Sequence, residues 1–177
     1  MNRSIYNLIS ILEDIHAMTN EYPGKKKFQK LVYLIENLGN VNLGFKYGIH
    51  FYGPYSSKLD DTITKLNGEG FLTYEYQGGS HLICMEEGVS LAADDEFFKP
   101  DLSEDEIAAM KEVLKKFSKR NPADLELLTT AHYAHSHLND KSENRVIAGV
   151  QKIKGSKFSE AEIKNAINEL NLTFEIA

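Results

Sequence analysis

Four lysines open one helical segment of this chain. Lys25, Lys26 and Lys27 stand in a row, and Lys30 follows one turn later. Positive charge at a helix N-terminus opposes the helix dipole. Four ammonium groups there point to an anionic partner, either a phosphate backbone or an acidic protein face. The alternative is a solvated turn balanced by Glu13, Asp14 or Glu21. A second set is His132, His135 and His137. His132 and His135 are three apart and share a helical face, as two metal ligands would. His137 points elsewhere and no third ligand is identifiable, so packing or hydrogen bonding is expected and no metal. The pairs Asp60-Asp61 and Asp94-Asp95 are adjacent, so their side chains diverge on a helix and read as surface charge. No phosphate-binding loop, Gly-x-Ser-x-Gly elbow or His-Glu-x-x-His helix occurs. The expectation is a protein that is not an enzyme, with no catalytic residue and no cofactor.

A third set is aromatic. Lys46 to Ser57 carries Tyr47, His50, Phe51, Tyr52 and Tyr55 around Gly48, Gly53 and Pro54. Glycine and proline there mark a sharp change of backbone direction. Tyrosines need a partner for the hydroxyl and favour half-wet surfaces. Phe51 and Tyr55 are expected in a core layer between two helices. Tyr52, and Tyr76 further on, are the candidates for recognition.

Apolar spacing gives the elements that must position these groups. Ile5, Leu8, Ile9, Leu12 and Ile15 recur at three and four residues and predict a helix over 4–19. Phe28, Leu31, Val32, Ile35 and Leu38 predict a second helix, stopped by Gly39. Residues 45–52 read as extended. Ser56 or Ser57 caps a third helix with Leu59, Ile63 and Leu66 inward. Phe71–Tyr76 and His81–Met85 flank Gly78-Gly79 and predict a hairpin. A short helix is expected over Val89–Phe98, and Pro100-Asp101 marks a boundary. Beyond it, Ser103 with Glu106 and Ser159 with Glu162 form capping boxes. Asn121 followed by Pro122 opens another helix, with Leu125, Leu128 and His132 on one face. Val146, Ile147 and Val150 mark one more. Three helices followed by a β-hairpin describe a winged-helix-like core. The fold expected is α+β, mostly α, with such a core over residues 1–100 and a helical extension over 101–177 packed on it.

Charge bears on the partner. The formal net charge is −6; residues 1–99 carry 9 basic and 13 acidic side chains and residues 100–177 carry 11 and 13. Phosphate contacts dominate affinity for nucleic acid, so neither half suits non-specific DNA binding. The outward residues of the third helix, Lys58, Asp60, Asp61, Thr62, Thr64, Lys65 and Asn67, include no arginine and two aspartates. That helix is a poor reader of a major groove. No apolar run reaches membrane-spanning length, and no membrane partner is expected. Cys84 is the single cysteine, which suits a reducing cytoplasm and reads as a small buried hydrophobe.

Three blocks carry a resemblance. Gly24-Lys-Lys-Lys-Phe-Gln-Lys-Leu-Val-Tyr-Leu-Ile35, Lys46-Tyr-Gly-Ile-His-Phe-Tyr-Gly-Pro-Tyr-Ser-Ser57 and Leu66-Asn-Gly-Glu-Gly-Phe-Leu72 resemble the bacterial YwgA-like proteins. More distantly they look like the Panacea domain of SocA-type antitoxins. The match covers about residues 24–90. It marks Lys30, Tyr33, Phe51, Gly53, Pro54 and Tyr55 as motif positions, with no catalytic role attached. It implies a winged-helix-like core that binds a partner protein, often a toxin. The function expected is a non-catalytic, cytoplasmic, bacterial or phage regulatory module that binds another protein through Lys25, Lys26, Lys27, Lys30, Tyr52 and Tyr76. The alternative is a winged-helix DNA-binding transcription regulator with the same lysines on phosphates. An enzyme with a histidine-based site ranks third.

Overall fold

The apolar stripe of the first segment does form α1 (Ser4–Thr19), with Ile5, Leu8, Ile9, Leu12 and Ile15 all buried. The structure is a computed structural model that describes residues 4–87, 89 and 100–172. The elements that follow are α2 (Lys25–Asn37), β1 (Gly48–His50), β2 (Gly53–Tyr55), α3 (Ser57–Gly68), β3 (Leu72–Gln77) and β4 (Ser80–Met85). After them come α4 (Glu104–Phe117), α5 (Pro122–His137), α6 (Glu143–Lys154) and α7 (Glu160–Glu169). The fold is α+β and mostly helical, with two antiparallel two-stranded sheets among the described residues. The helix expected over Val89–Phe98 lies outside the described residues apart from Val89. No helix among the described residues is long and apolar enough to cross a membrane.

Packing divides the chain into two units, Met1–Tyr47 with Ser56–Arg120 and Gly48–Tyr55 with Asn121–Ala177. These do not follow a cut at residue 100. In the first unit, α1 packs on α4 and β4, α2 on α3, α4 and β4, and α3 on β3. The order of three helices and then a hairpin is the one anticipated. Helix α4 belongs here rather than to a C-terminal extension, because Met110, Val113, Leu114 and Phe117 are buried where it meets α1 and α2.

Enclosure of α2 on several sides changes its character. Gln29, Lys30, Tyr33 and Leu34 are buried as well as the predicted stripe, while Leu38 is only half-buried. Gln29 satisfies its amide by pairing with a main chain: Nε2 donates to Ser56 O at 2.9 Å and Oε1 accepts from Ser56 N at 3.0 Å. Ser56 in turn caps α3, its side chain accepting from Leu59 N at 3.3 Å. Glu36 gathers the following loop. Its Oε1 accepts from Leu43 N and Phe45 N, each at 3.1 Å, and Tyr47 donates to Oε2 at 2.7 Å. Burial raises the pKa of this carboxyl against those hydrogen bonds. The Tyr47 ring meets buried Tyr33 edge-on at 5.0 Å.

In the second unit, α5 packs on α6, α7 and β2, and α6 on α7. Leu125, Leu128, Val146, Ile147, Val150, Ile163 and Ile167 are buried, as the spacing predicts. Thr129 and Thr130 are buried too, and each hydroxyl donates to the carbonyl four residues back at 2.7 Å. The stretch 45–52 is expected from the sequence as extended chain; the structure instead makes residues 48–55 a separate β-hairpin. Its register is Gly48↔Tyr55, Ile49↔Pro54 and His50↔Gly53.

Candidate functional site

The lysines at the start of α2 do not make one basic face. Lys30 is 3% exposed, because α2 is enclosed there, and it cannot meet a phosphate backbone as anticipated. Lys25 is half-buried; its ammonium lies 3.4 Å from Asp60 Oδ1 and 4.9 Å from the centre of the Tyr74 ring. Burial works against its charge, but Asp60 and Tyr74 outweigh that and raise its pKa. Burial lowers the pKa of half-buried Lys27 against the attraction of Glu21. Lys26 is exposed. The lysines of α3 are engaged as well: Lys58 donates to Gly44 O at 2.9 Å and Lys65 lies 3.7 Å from Glu69. Lys25 and Asp60 largely cancel where a groove-reading surface would need positive charge.

The aromatic turn is the more open feature. Phe51 and Tyr52 form the two-residue loop between β1 and β2, and the register leaves both outside the paired residues. Phe51 is 80% exposed, so its expected place in a core layer is corrected. A side chain at the tip of a two-residue loop has no neighbouring strand to cover it. Tyr52 is 43% exposed, meets Phe51 edge-on at 5.0 Å, and has exposed Ile49 on the adjoining strand. Tyr55 is half-buried against His50, with ring centres 4.7 Å apart, while Gly53 and Pro54 are buried. In the first unit, Tyr76 is 72% exposed and pairs across the hairpin with His81, ring centres 5.2 Å apart. Tyr52 and Tyr76 thus belong to different units.

Beneath the Phe51 turn is a charge cluster that the sequence reading missed. Glu126 of α5 accepts from Lys154 and Lys157, each at 2.8 Å from Oε1. The side chains of Glu126 and Lys154 are 7% and 2% exposed. Lys154 also donates to the carbonyl of Phe51 at 2.6 Å. Burial raises the Glu126 pKa, but the two ammonium groups outweigh it and hold the carboxyl below its usual range. Burial lowers the pKa of Lys154, and Glu126 opposes that shift. Two signals were present. Glu126 interrupts the apolar run Leu125–Leu128, and Lys154 continues the four-residue spacing of Val146 and Val150 onto the inner stripe.

Among the described residues no group of three or more His, Cys, Asp or Glu could hold a metal ion. His132 lies 3.5 Å from the Ser136 hydroxyl, and His137 bonds to Tyr133 O at 2.9 Å and stacks on the Tyr133 ring. Burial, with help from His135 and His137, takes the His132 pKa down to about 4. Cys84 is buried, as anticipated, and burial raises its thiol pKa.

No family model matches this chain. It is similar to the uncharacterized protein YwgA of Bacillus subtilis (strain 168), with 29% identity over 157 residues. That alignment covers 85% of this chain and 89% of YwgA. The aligned length exceeds that of residues 24–90. The similarity across most of both chains supports a YwgA-like relationship.

Proposed function

We propose that this protein is a non-catalytic regulatory module that works in the cytoplasm by binding another protein, in the manner of an antitoxin that neutralises a toxin. The observation that carries the reading is the exposed Phe51–Tyr52 tip on a turn whose main chain is tied to a buried ion cluster. Large aromatic side chains held out on an anchored backbone lose little conformational entropy on binding and supply much contact area. Ile49 enlarges the apolar surface. The three aromatic and lysine-rich blocks, similar to the Panacea domain, supply the toxin-directed version. A winged-helix-like core is the scaffold that fits the helix and hairpin order. The DNA-binding alternative draws less support, since Lys30 is buried and Lys25 is paired with Asp60.

The test is co-expression with the product of the adjacent gene. Relief of a growth arrest by this chain, lost on Phe51→Ser with Tyr52→Ser while the thermal midpoint holds, is the expected result. An adjacent product that arrests growth and is not relieved, or relief unaffected by the double substitution, removes the reading.

A further inference from the structure

The geometry points to Lys154 as a latch that fixes how the Phe51–Tyr52 turn is presented. Burying an ammonium group carries a desolvation penalty, and well-packed apolar residues of similar size often serve stability as well or better. Lys154 nonetheless sits on the inner stripe of α6, one turn beyond Val150, with a 2% exposed side chain. What it does there that an apolar residue could not do is donate to Phe51 O. That carbonyl belongs to the residue whose own side chain is 80% exposed and so cannot hold the loop by packing.

The cluster divides the work. Glu126, fixed on α5 by its buried neighbours, neutralises Lys154 and aims it. Lys157 shares the same carboxylate oxygen from a more exposed position, with 42% of its side chain open. It offsets the charge of Glu126. Lys154 is therefore a positioning residue, and Lys157 is the control that separates charge balance from the latch. The hairpin's strands are three residues long, and a two-stranded hairpin of that length is not stable in water by itself. Packing of β2 on α5 holds one strand of the hairpin, but the Phe51–Tyr52 turn lies beyond the paired residues. The usefulness of a fixed turn rests on the proposed binding function, but the latch itself is a property of the free protein.

The experiment is amide hydrogen exchange on the full chain without any partner. In Lys154→Met, residues 48–55 are expected to exchange about tenfold faster, while the interiors of α5 and α7 keep their protection. Lys154→Arg keeps the charge but misplaces the donor, and serves as the variant safest for folding; its faster exchange is confined to the same residues. Lys157→Met leaves exchange in 48–55 unchanged. Unaltered exchange in both Lys154 variants overturns the latch. So does loosening spread over α5, α6 and α7, or loss of the fold, because Lys154 would then be a general structural cation. Since no partner is present, failure here leaves the binding function standing, and failure of the co-expression test leaves the latch standing.

Discussion

Burial keeps the His132 ring neutral down to about pH 4, far below the ordinary imidazole range. The unfolded chain takes up a proton near pH 6.5 while the folded chain does not, so the folded state binds fewer protons between these values. Stability from this group is complete above about pH 6.5 and is lost as pH falls towards 4. The loss expected is about 1–3 kcal/mol. In urea titrations, His132→Gln should therefore be less handicapped relative to the native protein at pH 4.5 than at pH 7. A handicap that does not change with pH would show that the ring is solvated. The inward placement of His132 was legible, since it lies on the Leu125 and Leu128 face. Lys30 and Lys154 were not, because a lysine carries a strong prior for the surface. Only tertiary enclosure decides whether its head group is covered. In both cases the clue was spacing: Lys30 lies beside Leu31 in a helix with apolar residues almost all round, and Lys154 lies four residues beyond Val150.

Elements governed by local chemistry were readable. Both capping boxes form, with Ser103 and Ser159 each accepting from the amide three residues on while a glutamate reaches back. The Gly78-Gly79 turn closes β3 on β4, with positive φ at both glycines. That is the backbone of a two-residue hairpin loop, in which asparagine also fits the first position. Gly78→Asn should leave stability within about 0.5 kcal/mol, or raise it slightly, whereas Gly78→Val should cost more than 1 kcal/mol, by about the strain of a β-branched residue at positive φ. Equal thermal midpoints for the two would refute this. The β1–β2 hairpin was not readable, since its strands are short, one holds Pro54, and Phe51-Tyr52 is not a turn signal. Gly39 shows how tightly α2 ends. A Cβ there would stand 2.6 Å from Ile35 O and 3.3 Å from Val113 of α4. Gly39→Ala should cost about 1–3 kcal/mol, measured by chemical denaturation. A neutral effect would mean that the end of α2 can shift away from α4.

At the scale of the whole molecule, the two units are interleaved along the chain. Residues 48–55 come from the N-terminal half yet pack with the C-terminal helices, and α4 follows the expected boundary yet packs with α1 and α2. Composition could not reveal this, because a boundary at Pro100-Asp101 is a local signal and the packing partner of α4 is not. A cut at that boundary leaves residues 101–177 with Met110, Val113, Leu114 and Phe117 stripped of α1 and α2. A cut at residue 120 leaves α5 without β2, and Lys154 without the Phe51 carbonyl. The helices then lose both apolar cover and a charge-assisted hydrogen bond. Residues 121–177 alone should therefore show helical circular dichroism but melt without a cooperative transition. Joining residues 48–55 to them through a flexible linker should restore a sigmoidal melt, because it returns both the β2 face and the carbonyl. The same graft with Lys154→Met should regain less, separating what the strand's packing contributes from what the turn's hydrogen bond contributes. A cooperative melt of 121–177 without the graft would show that the helices form their own core and that the hairpin is a passenger on it.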